Sequence, residues 1–193
     1  HRRHRPTTLH TRWLLHLGGG NFLVIDSFAV REDRPEASVE ERWHIAMADP
    51  APTECDSTST DHAEFSFTDQ SIDIEPMCSM LSKTESASHG RIVASSLEPG
   101  SFVLDPPVEF VNRLEDTEQR TRLRYAPDET VRSDLRLFAL LSSPVDSPLP
   151  TADFQWTDCS GSPCVSVEVE SETWTFGFAS AGEHWVLVEI FAP

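Results

Sequence analysis

Lysine is nearly missing from this 193-residue chain: Lys83 is the single one among 15 basic residues, and the rest are arginine. Acids outnumber bases 32 to 15, for a formal net charge of −17. A surface of that sign repels phosphate backbones and argues against nucleic acid as a partner. No apolar run approaches the roughly 18 residues that a membrane helix needs, so no membrane span is expected. Helical i, i+3, i+4, i+7 stripes of useful length are missing, as are internal repeats. No Ser-His-Asp signature, phosphate-binding loop or dinucleotide motif occurs. The chain opens on His1 without an initiator Met or apolar signal segment, which reads as a mature product, a processed piece or an excised fragment.

What is present is period-two alternation along most of the chain. Strands are expected at 9–17, 22–30, 38–47, 63–68, 90–97, 108–114, 119–126, 134–143, 153–158, 164–171, 173–180 and 184–192. Fourteen prolines spread through the intervening loops suit many short strands better than helices. The expectation is an all-β fold, a large antiparallel two-sheet β-sandwich (supersandwich-like), as a single domain over 1–193. It carries a basic N-terminal arm at 1–8 and a long polar loop at 49–62.

The four cysteines suggest two disulfides. "CSGSPC" can close a small loop between Cys159 and Cys164, which leaves Cys55 with Cys78. Paired cysteines point to an oxidising compartment, hence a secreted or periplasmic protein. A zinc site of four cysteines is disfavoured because the C-x2-C spacing is missing.

"LHTRWLLHLGGGNFLVID" (9–26) raises the question of function. His10, Arg12, Leu14 and His16 share one strand face, and Trp13, Leu15 and Leu17 share the other. Whether Asp26 joins the histidine face depends on the turn. A three-residue loop over 18–20 sets Arg12 opposite Asp26 and Leu17 opposite Asn21, whereas a four-residue loop sets Asp26 opposite Trp13. On strand 38–47, Arg42 and His44 lie opposite the Trp43 face. If that strand flanks 22–30, His10, Asp26 and His44 converge, a donor set suited to zinc with one open position. The competing reading pairs Asp26 with Arg12. Strand 22–30 is apolar on both faces and needs cover on both. One cover is the second sheet; the expected other is a toroid or partner subunit.

"LHTRWLLHLGGGNFLVIDSF" followed by "EERWHIA" resembles the start of the β-sandwich region of heparinase II/III-like polysaccharide lyases. "RTRLRYAP", "SDLRLFALLSSP" and "VSVEVESETWTFGF" look like the later parts of such a sandwich. The resemblance implies an elimination reaction on an acidic, uronate-containing polysaccharide, with most reacting groups supplied by a helical toroid. It also implies zinc at His10, Asp26 and His44. Where some members carry a further catalytic histidine, two residues before the zinc histidine, this chain has Thr8. Helical patterning is missing here, so a toroid domain or subunit is the implied partner. A non-catalytic carbohydrate-binding or structural module is the alternative.

Arg120, Arg122 and Arg124 alternate along one strand face. With Arg12, His16 and Arg42 they are candidates for holding a uronate carboxylate or an acidic partner, although the chain's own surplus acids could pair with them. The lone Tyr125 reads as a core residue, and His89 and His184 as solvent-facing residues beside turns. Most of the five tryptophans read as core, with Trp156 the most exposed.

Overall fold

The computed structural model describes residues 7–33, 39–45, 63–76, 88–111, 117–128 and 131–193. Among these are thirteen strands: β1 (Thr7–Gly18), β2 (Asn21–Val30), β3 (Glu41–Ile45), β4 (Ala63–Phe67), β5 (Ser71–Pro76), β6 (Ser88–Ser96), β7 (Gly100–Val111), β8 (Thr117–Pro127), β9 (Ser133–Pro144), β10 (Ala152–Asp158), β11 (Pro163–Val169), β12 (Glu172–Ala181) and β13 (His184–Phe191). No helix occurs among the described residues. The antiparallel all-β sandwich expected from the sequence is therefore present. Its strands form three sheets: β1-β2-β9-β6-β5-β4, β10-β11-β12-β13 and β3-β8-β7.

The six-stranded sheet is the middle layer. Leu23 and Ile25 of β2, with Leu135, Leu137 and Ala139 of β9, pack against Val165, Val167, Phe176 and Phe178 of the four-stranded sheet. The residues between them point the other way. Val24 and Phe138 pack with Phe102, Leu123 and Tyr125 of the three-stranded sheet. Phe138 sits edge-on to Trp43 and Tyr125 at centroid distances of 5.4 Å each. Burying such a ring contributes about 1.5–3 kcal/mol. This explains why β2 is apolar on both faces. The second cover, expected from a toroid or partner, is the chain's own three-stranded sheet. It stops short of the turn end of the β1–β2 hairpin, where Leu14 is 66% exposed and His16 and Phe22 are open to solvent.

Other expectations shift for physical reasons. Thr7 and Thr8, placed in the basic arm, begin β1. Residues 1–6 and the 49–62 loop, with Cys55, lie outside the described residues, as does Cys78. Cys159 and Cys164 form the expected disulfide. β5 was not expected; it pairs with β4 through a tight turn, Ile72 being wholly buried. β7 starts at Gly100 instead of 108 and carries Pro106 and Pro107 at an irregularity between Asp105 and Val108, the kind of interruption that accommodates residues without a backbone N–H. β3 does not flank β2: it pairs with β8 and lies across the middle sheet.

Candidate functional site

The β1–β2 turn decides the site. Gly19 and Gly20 form the turn, Gly18 pairs with Asn21, and the register slips once between His16 and Gly18. Gly18, Gly19 and Gly20 all have positive φ (91°, 57° and 85°), a conformation that a side chain would strain. The slip restores the parity of a three-residue loop. Arg12 lies opposite Asp26, Trp13 opposite Ile25, and His10 opposite Phe28. The expected pairing of Leu17 with Asn21 gives way to Gly18 with Asn21, and Leu17 turns into the core.

Asp26 is wholly buried, yet it is ringed by cations. Arg12 donates from Nε to Asp26 Oδ1 and from Nη2 to Oδ2, both at 2.7 Å. His10 Nε2 donates to Oδ1 at 2.9 Å. The same Arg12 Nη2 reaches Glu41 Oε2 of β3 at 2.7 Å, and the guanidinium lies 6.0 Å from the Trp43 ring. His10 and Arg12 keep 42% and 47% of their side chains exposed. The cluster is thus two buried acids, Asp26 and Glu41, holding two half-exposed cations.

The electrostatics follow from that geometry. The hydrogen bond to Asp26 raises the His10 pKa, outweighing partial burial. Burial pushes the Asp26 carboxyl up, but the bonds from His10 and Arg12 prevail and leave it below its ordinary value. Burial raises Glu41, and the negative charge of Asp26 adds to the effect.

Behind this cluster stands a second buried ion pair. Arg136 of β9, opposite Asp26 in register, donates from Nε to Asp134 Oδ2 at 2.8 Å, and neither residue is exposed. Its Nη1 donates to the Val39 carbonyl at 2.7 Å, and its guanidinium stacks over Phe28 at 4.6 Å. Arg136 Nη2 is buried and has no hydrogen-bond partner among the described residues.

His10, Asp26 and Glu41 each offer a ligand atom, and these atoms lie within 4.8 Å of one another. One imidazole and two carboxylates fit a divalent ion by chemistry. The same carboxylates are held by Arg12, so an ion there must displace the guanidinium. His44 had been expected as the third ligand on the assumption that strand 38–47 flanks 22–30. It lies on β3 opposite Arg122, and its side chain is outside the described residues. Glu41, which the sequence reading did not single out as a ligand, stands in the third place. Strand alternation, which sets Glu41 on the same face as Trp43, was the available signal.

The other candidates are dispersed. His16 packs on Phe22 with ring centroids 5.0 Å apart. Arg42 and Arg124 share Glu40, at 3.0 and 2.9 Å, and Arg122 bonds Asp105 at 2.8 Å. These three arginines are thus neutralised by the chain's own acids. The Arg120 side chain lies outside the described residues. Tyr125 is buried in the core and bonds Ser96 Oγ at 3.0 Å.

His89 was read as solvent-facing, yet only 12% of its side chain is exposed. Nδ1 meets Glu75 at 3.0 Å, and Nε2 meets Ser143 Oγ at 3.1 Å and the Ser147 carbonyl at 2.8 Å. The order acid–imidazole–hydroxyl resembles a hydrolytic triad. However, Nε2 donates to the Ser147 carbonyl, so it has no lone pair to take the Ser143 proton. The arrangement clamps the turn after β9. No family model and no curated protein matches the chain.

Proposed function

We propose that this chain is the β-sandwich portion of a polysaccharide lyase that cleaves uronate-containing chains by β-elimination, in concert with a helical toroid domain or subunit. One observation carries the reading: the hairpin register gathers His10 and Arg12 on buried Asp26 as a half-exposed cationic pair. Elimination needs the uronate carboxylate neutralised, a base for the C5 proton and an acid for the departing oxygen. Arg12 supplies the first need through its solvent-facing edge. His10, whose pKa the hydrogen bond to Asp26 raises, supplies in its protonated form a second positive charge or the acid. The base comes from the toroid. The resemblance implies zinc at His10, Asp26 and His44; an ion held instead by His10, Asp26 and Glu41 would displace Arg12 and would itself supply the positive charge that neutralises the sugar carboxylate.

A second reading, a non-catalytic carbohydrate-binding or interaction module, is favoured by one feature. Both carboxylate oxygens of Asp26 already have partners within the chain.

The test is absorbance of unsaturated uronate, run on alginate, heparin, heparan sulfate and hyaluronan. The isolated chain and the chain within its full-length gene product are compared. Product from the full-length protein alone supports the proposal. Product from the isolated chain, or from neither on any polymer, overturns it.

A further inference from the structure

β1 is an end strand of the six-stranded sheet, and no other described strand pairs along its outer side. Parity decides which backbone groups that side offers. Val30 N donates to the Arg132 carbonyl at 2.6 Å, in continuation of the β2–β9 register, so the even-numbered residues of β2 bond β9. Sides alternate along an antiparallel ladder, so Leu23, Ile25 and Ser27 bond β1 through their partners Leu15, Trp13 and Thr11. The N–H and carbonyl groups of His10, Arg12, Leu14 and His16 therefore point out along the open edge.

An open edge invites another strand unless it is blunted. The other five edges of the described sheets are blunted. β3 and β4 have five residues each and carry Glu41 and Glu64. β10 carries Asp153 and Asp158. β7 is interrupted at Pro106 and Pro107, and β13 skips Val188 in its pairing and carries Glu189. β1 has twelve residues, no proline, lysine or acid, and an unbroken register from Leu9 to His16. The chain's first acid is Asp26, so all 32 acids lie beyond this strand. Two copies of a chain of net charge −17 therefore repel least at this edge.

We propose that β1 pairs antiparallel with β1 of a second copy, giving a two-fold dimer in which two six-stranded sheets run on as one. A second copy fits because the edge complements itself. With the axis through Trp13, His10 lies opposite His16 of the partner subunit and Arg12 opposite Leu14 of the partner subunit, so each outward N–H meets an outward carbonyl. The pairing then uses the regular stretch from 10 to 16. An axis through Arg12 uses as much of it but sets two arginines directly opposite, and one through Leu14 overlaps less. At the axis Trp13 meets its own counterpart in a pair without hydrogen bonds between the copies, where side chains approach most closely. Leu14, 66% exposed in the single chain, is covered by the aliphatic stem of the partner subunit's Arg12. The dimer goes beyond the elimination chemistry and does not depend on it.

Sedimentation velocity of the full chain over a hundredfold range of concentration reads the dimer as twice the chain mass. The native chain is expected to dimerise as concentration rises. Leu14→Pro deletes an N–H that β2 does not use, and an edge strand accepts proline on its open side. Leu14→Lys sets a second cation beside the partner subunit's Arg12. Each should weaken dimerisation at least tenfold with the fold intact by circular dichroism. Where proline disturbs β1, the lysine variant carries the test, because that side chain stands largely in solvent. Ile190→Lys, on the exposed β13 edge, should dimerise as the native chain does. A native chain that stays monomeric throughout, a folded Leu14 variant that dimerises normally, or loss of the dimer in the Ile190 variant overturns the proposal.

Discussion

Arg12 and Asp26, on neighbouring strands, meet as a bidentate pair with both N–O distances 2.7 Å, although Asp26 is wholly buried and Arg12 is half exposed. Replacing Asp26 by Asn keeps the shape but removes the charge that two cations share. The expected loss is about 2–3 kcal/mol, below that of a fully buried pair because His10 and Arg12 can rehydrate. Urea denaturation measures it. A loss under half a kilocalorie would show that the cluster contributes little to folding.

The pH dependence has a definite sign. His10 has a raised folded pKa, so its contribution is fully present below the ordinary imidazole value of 6.5 and is lost as pH rises through the higher folded value. Asp26 behaves oppositely. Its folded value is depressed, so its contribution is present above 3.8 and is lost as pH falls through the lower folded value. His10→Ala should therefore flatten the decline of thermal stability just above pH 6.5 and leave the alkaline plateau in place. An unchanged slope in that window would contradict the pairing.

How much of this site could be read from the sequence depends on range. Alternation placed His10 and Arg12 on one face, and hairpin parity offered Asp26 as their partner. Both are local, and the glycines fixed the outcome. Glu41 was out of reach because its position depends on β3 pairing with β8, some eighty residues downstream. The same non-local pairing put the missing cover of β2 within the chain itself. β5 was overlooked because Ile72 and Ile74 alternate with acids over a short run. His89 was misjudged because its partners Ser143 and Ser147 are more than fifty residues away.

A divalent ion and Arg12 compete for the same carboxylates. Arg12→Gln should bind zinc at least tenfold more tightly than the native chain, a gain of about 1.4 kcal/mol. Competition with a chromophoric chelator reports it. Equal affinity would mean that the ion does not use Asp26 and Glu41.

The buried Arg136–Asp134 pair should be costly to break and cheap to replace. Arg136→Met alone leaves Asp134 charged and unpaired, with an expected loss of about 3–5 kcal/mol. Adding Asp134→Asn should recover a large part. Additive losses in the double variant, measured by denaturation, would deny the coupling.

Closing the six-residue Cys159–Cys164 loop should contribute about 2 kcal/mol by restricting the unfolded chain. Cys159→Ser with Cys164→Ser, compared with the oxidised protein, tests this. No change in stability would contradict it.

The central claim is that Arg12 and His10 act together on a uronate carboxylate, and elimination rates of point variants in the full-length protein test it most directly. Arg12→Gln and His10→Ala should each lower kcat/KM on the cleaved polymer by at least a hundredfold with the fold intact by circular dichroism. Arg31→Gln, which breaks an exposed pair with Asp33, should keep the native rate. Native rates in the Arg12 and His10 variants would contradict the account.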